Sequence, residues 1–305
     1  MLKALRPLAT VLVIALFLGG CGQSPEYKKV SLAEPGEQAV PTVVKGSKLP
    51  LRVAVAAVIS PKGTVESYAN LIAYLGERTG RPAELVQRGT YTEINDLVRT
   101  GGVDLAFVCT GGYIRGQQEF GMELLVAPQV DGETVYYSYI IVPADSQAQS
   151  LTDLRGKVFA FTDPMSNTGR LALLYMLWQM GETPESFLKR TLFTYSHDNS
   201  IKAVADRLVD GAAVDSLVYD YMVAQEPQYG AKTRIIHRSP PYGIPPVVVH
   251  PALDPQLKAQ FRELFLRLHQ DERGREILQK LMIDRFVIVD DQAYDSVREM
   301  MIQVR

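Results

Sequence analysis

From Leu51 onward, short continuous apolar runs alternate with stretches whose apolar residues recur at helical spacing, and the whole rhythm occurs twice. "LRVAVAAV" at 51–58 reads as a strand covered on both faces, because such a strand has no wet side on which polar residues would alternate. Tyr68, Leu71, Ile72 and Leu75 then mark one face of a helix. A short strand at 83–87 follows. Next come a helix from Tyr91 carrying Ile94, Leu97 and Val98, a stop at Gly101 and Gly102, and the strand "VDLAFV". Strands and helices in that order specify a parallel α/β lobe. A strand-rich stretch, "MELLVAP" and "TVYYSYIIVP", interrupts it, the second run reading as a long strand that leaves the first lobe.

The rhythm then restarts. "KVFAF" is a strand, and Leu171, Leu174, Tyr175 and Trp178 mark a helix. "LFTY" is the next strand, Ile201, Val204, Ala205 and Leu208 mark the next helix, and "AAVDSLV" is a strand. "TRIIHRS" is extended and is expected to lead back to the first lobe. Amphipathic helices near 257–268 and 293–301 end the chain. A chain of 305 residues is long for one core. The expected fold class is therefore α/β with two lobes of open, parallel-rich sheet joined by crossing strands. Lobe 1 takes 51–138 and 235–305, and lobe 2 takes 139–234. A trace of duplication is visible: "DLVRTGGVDLAFV" from Asp96 and "RLVDGAAVDSLVY" from Arg207 align without gaps, matching Asp104 with Asp215. Four matches suit either a duplication or any helix-turn-strand.

The first 21 residues are of another kind. Lys3 and Arg6 precede an apolar run from Leu8 to Leu18, which is followed by Gly19, Gly20 and Cys21. A charged start, a short apolar centre and small residues make a secretion signal, too short to span a bilayer. "LGGC" resembles a bacterial lipobox, which implies cleavage before Cys21 and lipid on its thiol. Residues 22–50, rich in Pro, Gly, Glu, Lys and Ser, read as a flexible tether. The only other cysteine, Cys109, then has no partner for a disulfide, and it reads as a small buried hydrophobe closing a strand. The net charge of −2 lacks the basic excess that a nucleic-acid surface needs.

Ligands of open α/β sheets sit beyond the carboxyl ends of the strands, beside the helix starts. The stretch "DPMSNTG" at 163–169 is such a place. A helix beginning near Asn167 leaves backbone N–H groups free and carries a partial positive charge there. Gly169 allows close approach, and Ser166, Asn167 and Thr168 add side-chain donors. This is either an anion seat or a helix cap alone. His197 and Asp198, in "YSHDNS", share the same rim; His197 offers an imidazolium or a neutral N–H donor. Asp215 is read inside an apolar strand, where a carboxyl needs donors from a ligand or from backbone amides. Tyr91 opens a helix at the first-lobe rim, as a phenol donor or a packed ring. Thr110, Gly111 and Gly112 form a second small-residue turn.

Together, "TY…INDLVRTGGVDLAFV…GGY", "DPMSNTG" and "YSHDNSIKAVADRLVDGAAVD" resemble the phosphate/phosphite/phosphonate-type solute-binding proteins of ABC importers, from about Leu51 to Leu281. The resemblance implies a type II periplasmic binding-protein fold, in which two lobes close on a small oxyanion. It also implies ligand contacts from Tyr91, Ser166, Asn167, Thr168, His197 and Asp215. The "CTGGY" turn departs from the usual pattern of the family. The expected function is a lipid-anchored receptor in the bacterial cell envelope, a monomer that hands its oxyanion to an ABC permease in the membrane. No cofactor is implied. Three alternatives stand beside it: a ligand-sensing module for a membrane receptor, a ferric-ion carrier using Tyr219, Tyr221 and His237, and a hydrolase pairing His197 with Ser166. For the last two, the chain has neither convincing metal spacing nor a G-x-S-x-G, H-E-x-x-H or P-loop motif.

Overall fold

The structure, a computed structural model, describes residues 49–304. The leader at 1–21, with Cys21, and the tether up to residue 48 lie outside the described residues. In the first lobe the chain lays down β1 (Leu51–Val55), β2 (Ala83–Val86), β3 (Leu105–Phe107) and β4 (Glu123–Gln129). β5 (Val135–Tyr136) leads out of it. The second lobe contains β6 (Ser138–Pro143), β7 (Val158–Phe161), β8 (Arg190–Phe193), β9 (Gly211–Asp215) and β10 (Thr233–Arg238). β11 (Tyr242–Gly243), β12 (Val247–Val249) and β13 (Arg285–Val287) lead back.

The first sheet has the order β13-β4-β12-β3-β1-β2 and the second β10-β6-β9-β7-β8. Each has the same centre. β2-β1-β3 are parallel, with antiparallel β12 beside β3. β8-β7-β9 are parallel, with antiparallel β6 beside β9. This is the two-domain α/β fold with mixed, open sheets that type II periplasmic binding proteins have. Both faces of each sheet are covered. Leu71, Leu75, Phe261 and Phe265 bury one face of the first sheet, and Ile94, Val98 and Ile114 the other. Ile201, Val204 and Val218 cover one face of the second, and Leu173, Leu177 and Phe187 the other. Full burial of each such side chain contributes about 1.5–3 kcal/mol. The C-terminal helix, Asp295–Gln303, joins the lobes, since its Val297 and Met300 share a buried cluster with Leu171 and Ala172.

The crossings differ from the sequence expectation in detail. The run at 134–143 breaks at Tyr137. β5 pairs with β11 in a two-stranded ribbon, and only β6 enters the second sheet. "TRIIHRS" stays in the second sheet as edge strand β10, paired with β6, and the chain re-enters the first sheet only at β12. "AAVDSLV" is a strand only as far as Asp215, after which Ser216–Gln225 is helical. An apolar run bears no mark of where strand gives way to buried helix. Trp178 and Leu208 are 45% and 70% exposed, Trp178 stacking on Tyr175 and Leu208 lying beyond the end of its helix.

The two sheets share a topology, but its equivalences are not those of the sequence match. Asp104 precedes β3, where it bonds the Arg52 N–H and the Arg81 guanidinium at 3.0 Å. Asp215 ends β9. The position equivalent to Asp215 in the first lobe is Cys109, which likewise caps the helix after the third parallel strand. By the same rule Ser60 matches Ser166, and Thr90 matches Ser196.

Candidate functional site

Six helix starts converge where the lobes meet, and their caps are local chemistry. The Thr90 hydroxyl and the Glu93 side chain form a reciprocal capping box. The Ser196 hydroxyl accepts from the Asn199 N–H. Ser166 accepts from the Gly169 N–H at 3.0 Å. The turn that Ser166 starts is wider than an α turn, because the Leu171 N–H reaches back five residues to the Ser166 carbonyl. Such π turns concentrate at functional sites. The Thr162 N–H bonds the Gly169 carbonyl, and the Ser138 hydroxyl bonds the Thr168 carbonyl, so the turn is tied to β7 and β6.

The lobes touch directly and reciprocally. Tyr91 and His197 are the first residues of equivalent helices. The Tyr91 N–H donates to the Asp163 carboxylate at 3.1 Å, and the His197 N–H to the Val58 carbonyl at 2.9 Å. Each amide is thus held by the first loop of the opposite lobe. The Asp198 carboxylate also accepts from the Ser60 N–H at 2.8 Å, and the Ser67 and Tyr221 hydroxyls meet at 3.2 Å. Gly111 lies so close to the Met165 carbonyl that a Cβ there would sit 2.2 Å from the oxygen.

All six candidate residues lie in this junction, none more than 3% exposed. His197 Nδ1 accepts the Asp215 N–H at 3.0 Å and has the Thr162 hydroxyl at 3.1 Å. Its proton therefore sits on Nε2. Burial drives its pKa down to about 3, only partly opposed by Asp198. Of the two forms offered by the sequence, the structure selects the neutral N–H donor, and Nδ1 has no free lone pair with which to act as a base. Tyr195, just before this cap, has a φ of 59°, a conformation that costs a non-glycine residue energy.

Asp215 Oδ1 accepts from the Leu217 N–H at 2.8 Å, so the backbone alternative holds for that oxygen. Burial still raises the carboxyl to about 7, against those amide bonds. The Tyr91 hydroxyl is buried without a protein partner, and burial and the nearby Cys109, Asp163 and Asp215 raise its pKa well above the usual value. The Asn167 amide meets the Tyr136 hydroxyl at 3.1 Å, and its other end has no protein partner. A buried group left unpaired costs about 1–3 kcal/mol.

Several participants were missed. Asp163 stands in the quoted stretch, but its partner amide is 72 residues away. Thr162, Tyr136 and Ser138 carry no local signal beyond being polar near a strand end. The "CTGGY" turn is a contact surface between lobes, with the Thr110 hydroxyl bonding the Gly243 carbonyl. Cys109 is buried, and burial pushes its thiol up to about 12, against the amides that cap onto it. Tyr219 and Tyr221 point to different partners, Thr233 and Ser67.

Two α/β lobes hinged on a ribbon, with polar helix starts buried between them, define a bilobal binding protein. The chain matches the family of ABC-transporter phosphonate periplasmic substrate-binding proteins over residues 53–294 and belongs to it. It is 29% identical over 210 residues to the phosphate-import protein PhnD of Mycolicibacterium smegmatis, covering 65% of this chain and 65% of the relative's length. Its fold matches a binding-protein component of an ABC phosphonate transporter from Pseudomonas aeruginosa, with a TM-score of 0.80 at 20% identity, covering 85% and 87% of the two chains. It also matches PhnD1 of Prochlorococcus marinus, solved with methylphosphonate, with a TM-score of 0.76 at 17% identity, covering 84% and 98%. The matched family is one of periplasmic substrate-binding proteins, and the chain spans slightly under two thirds of the length of the PhnD relative.

Proposed function

We propose that the chain captures a small oxyanion, such as phosphate, phosphite or a phosphonate, between its lobes by hinge closure and delivers it to an ABC permease. The observation that carries this reading is the buried Tyr91 hydroxyl, which has no protein partner and opens a helix opposite a neutral His197 donor. Helix starts from both lobes add their partial positive charge at the same place. Each charge-assisted hydrogen bond to the guest contributes about 1.5–3 kcal/mol. Tyr91 Oη, the Thr168 hydroxyl, the backbone behind Ser166 and His197 Nε2 act as donors, while the unpaired Asn167 Oδ1 accepts from a protonated guest. Asp215 manages one proton. With its pKa near 7 it is either a carboxylic acid that donates to a fully ionised guest or a carboxylate that accepts from a protonated one. Hinge closure of this kind is a known repertoire of two-lobed receptors. The phosphate and methylphosphonate attached to the names of the relatives support the ligand class.

The same proposal includes Cys21 as the lipid-bearing residue that anchors a monomer to the membrane. Mass spectrometry of the mature N-terminus tests it directly, because a Cys21→Ala protein released from the membrane is expected. The ligand reading is tested by titrating the purified protein with phosphate, phosphite, methylphosphonate and sulfate. Binding of at least one tetrahedral oxyanion is expected, with loss in His197→Ala at unchanged circular dichroism. Failure of every anion removes the reading. A ferric-only response would favour a metal carrier.

A further inference from the structure

A cavity of about 180 Å³ opens between the lobes next to the candidate oxyanion seat. Its walls include Val58, Phe107 and Ile244 from the first lobe and Leu217 and Val218 from the second, with Asp215 at the side. Two of these residues also fix His197: the Val58 carbonyl takes its N–H, and the Asp215 N–H takes its Nδ1. The cavity and the seat therefore share a wall. The lining is mostly hydrocarbon, and it includes no Lys, Arg or His. A second anionic group on the guest would find no counter-charge there. The other carboxyls on the lining face solvent: Asp220 and Asp131 are both exposed, and Asp220 is attracted by Arg238. For size, an apolar cavity of about 150 Å³ takes up benzene.

We propose that this cavity receives the organic arm of the guest, so that the preferred ligand is a phosphonate or phosphomonoester bearing an uncharged hydrocarbon arm of up to pentyl or phenyl size. The proposal rests on the oxyanion reading above, and its test separates the two. The full chain, purified in detergent, is titrated calorimetrically with phosphite and with methyl-, propyl-, butyl-, pentyl- and phenylphosphonate. 3-Aminopropylphosphonate serves as the charged isostere of the butyl compound. The Kd is expected to fall about threefold to fourfold per added methylene until the cavity is full, from the usual worth of a buried methylene. Butylphosphonate should bind more tightly than its aminopropyl isostere.

Val130→Phe and Ile283→Phe reach into the cavity from partly exposed positions on its wall. They should abolish the gain with arm length while leaving methylphosphonate binding within about threefold, the change expected when no contact to the small anion is lost. A flat or worsening series with methylphosphonate still bound overturns the inference alone. A tighter aminopropyl compound also overturns it, in favour of a cationic arm. Retention of the full gain in both variants places the arm elsewhere and equally overturns it. If phosphate, added as a control, phosphite and every phosphonate all fail to bind, the oxyanion reading falls as well.

Discussion

The two lobes build the same three helix starts from the same topology, yet they fill them with different chemistry. The first lobe starts its helices with Pro61, Tyr91 and Thr110, and the second with Asn167, His197 and Ser216. Pro61 has no N–H to offer, and the Thr110 start is followed by Gly111, which is pressed against the Met165 carbonyl. Of the first-lobe starts, only Tyr91 presents a polar side chain without a partner. The second lobe presents an amide, an imidazole and a carboxyl. The shared architecture thus divides the task unequally: on the proposed reading, the second lobe supplies most of the recognition and the first contributes Tyr91.

The sharpest way to break that comparison is at Gly111. A Cβ at this position would lie 2.2 Å from a backbone oxygen of the other lobe, and backbone cannot swing aside as a side chain can. Gly111→Ala should hold the lobes apart and raise the apparent Kd for the oxyanion by about 100-fold, because only the closed state binds tightly. The fold of each lobe should persist, read as unchanged circular dichroism, although the contacts between the lobes are lost. Unchanged affinity would mean that closure does not use this contact.

Tyr91 and His197 occupy equivalent positions, so their variants weigh the lobes against each other. Tyr91→Phe removes one oxygen and should weaken oxyanion binding about tenfold or more, the worth of one hydrogen bond to a charged group. His197→Ala should cost more, because it also frees the Asp215 N–H and the Thr162 hydroxyl. An equal loss in both would mean that the lobes share recognition evenly.

The aspartates matched by sequence should part company. Asp104 ties β1 to Arg81 and does not face the cleft. Asp104→Asn is expected to cost about 1–2 kcal/mol of stability in denaturant titration, in line with loss of a partly buried charged hydrogen bond, and to leave ligand affinity unchanged. An affinity change would reopen the sequence match as a functional one.

What could be read from the sequence, and what could not, follows the range of the interactions. The helices and parallel strands announced themselves because 3.6-residue and continuous apolar patterns are local. The helix start at Ser166 is legible because a cap is a bond across three residues. Asp163 bonding Tyr91 N–H is a long-range pairing between lobes, and no local pattern encodes it. Asp215 was found but set inside a strand, because "AAVDSLV" is apolar on both sides of the helix boundary. The false register with Asp104 came from the same source: both segments end a helix, turn and enter a strand, and four apolar or acidic matches do not fix which residue ends that strand.

The last comparison is between Asp215 and His197, which burial shifts in opposite senses for stability. The folded pKa of Asp215, about 7, lies above its unfolded value of 3.8. Its contribution to stability is complete below 3.8 and is lost as pH rises through about 7. The folded pKa of His197, about 3, lies below 6.5, so its contribution is complete above 6.5 and is lost as pH falls toward 3. Asp215→Asn keeps a capping side chain and removes only the first effect. The variant should therefore lose less stability than the parent between pH 5 and 8. For binding, ionisation of Asp215 places a negative charge beside the anion, so the parent's affinity for methylphosphonate should fall several-fold more than the variant's over the same range. A parent and variant with parallel profiles would show that Asp215 does not ionise in contact with the guest, and the proton assigned to it would have to belong to the ligand.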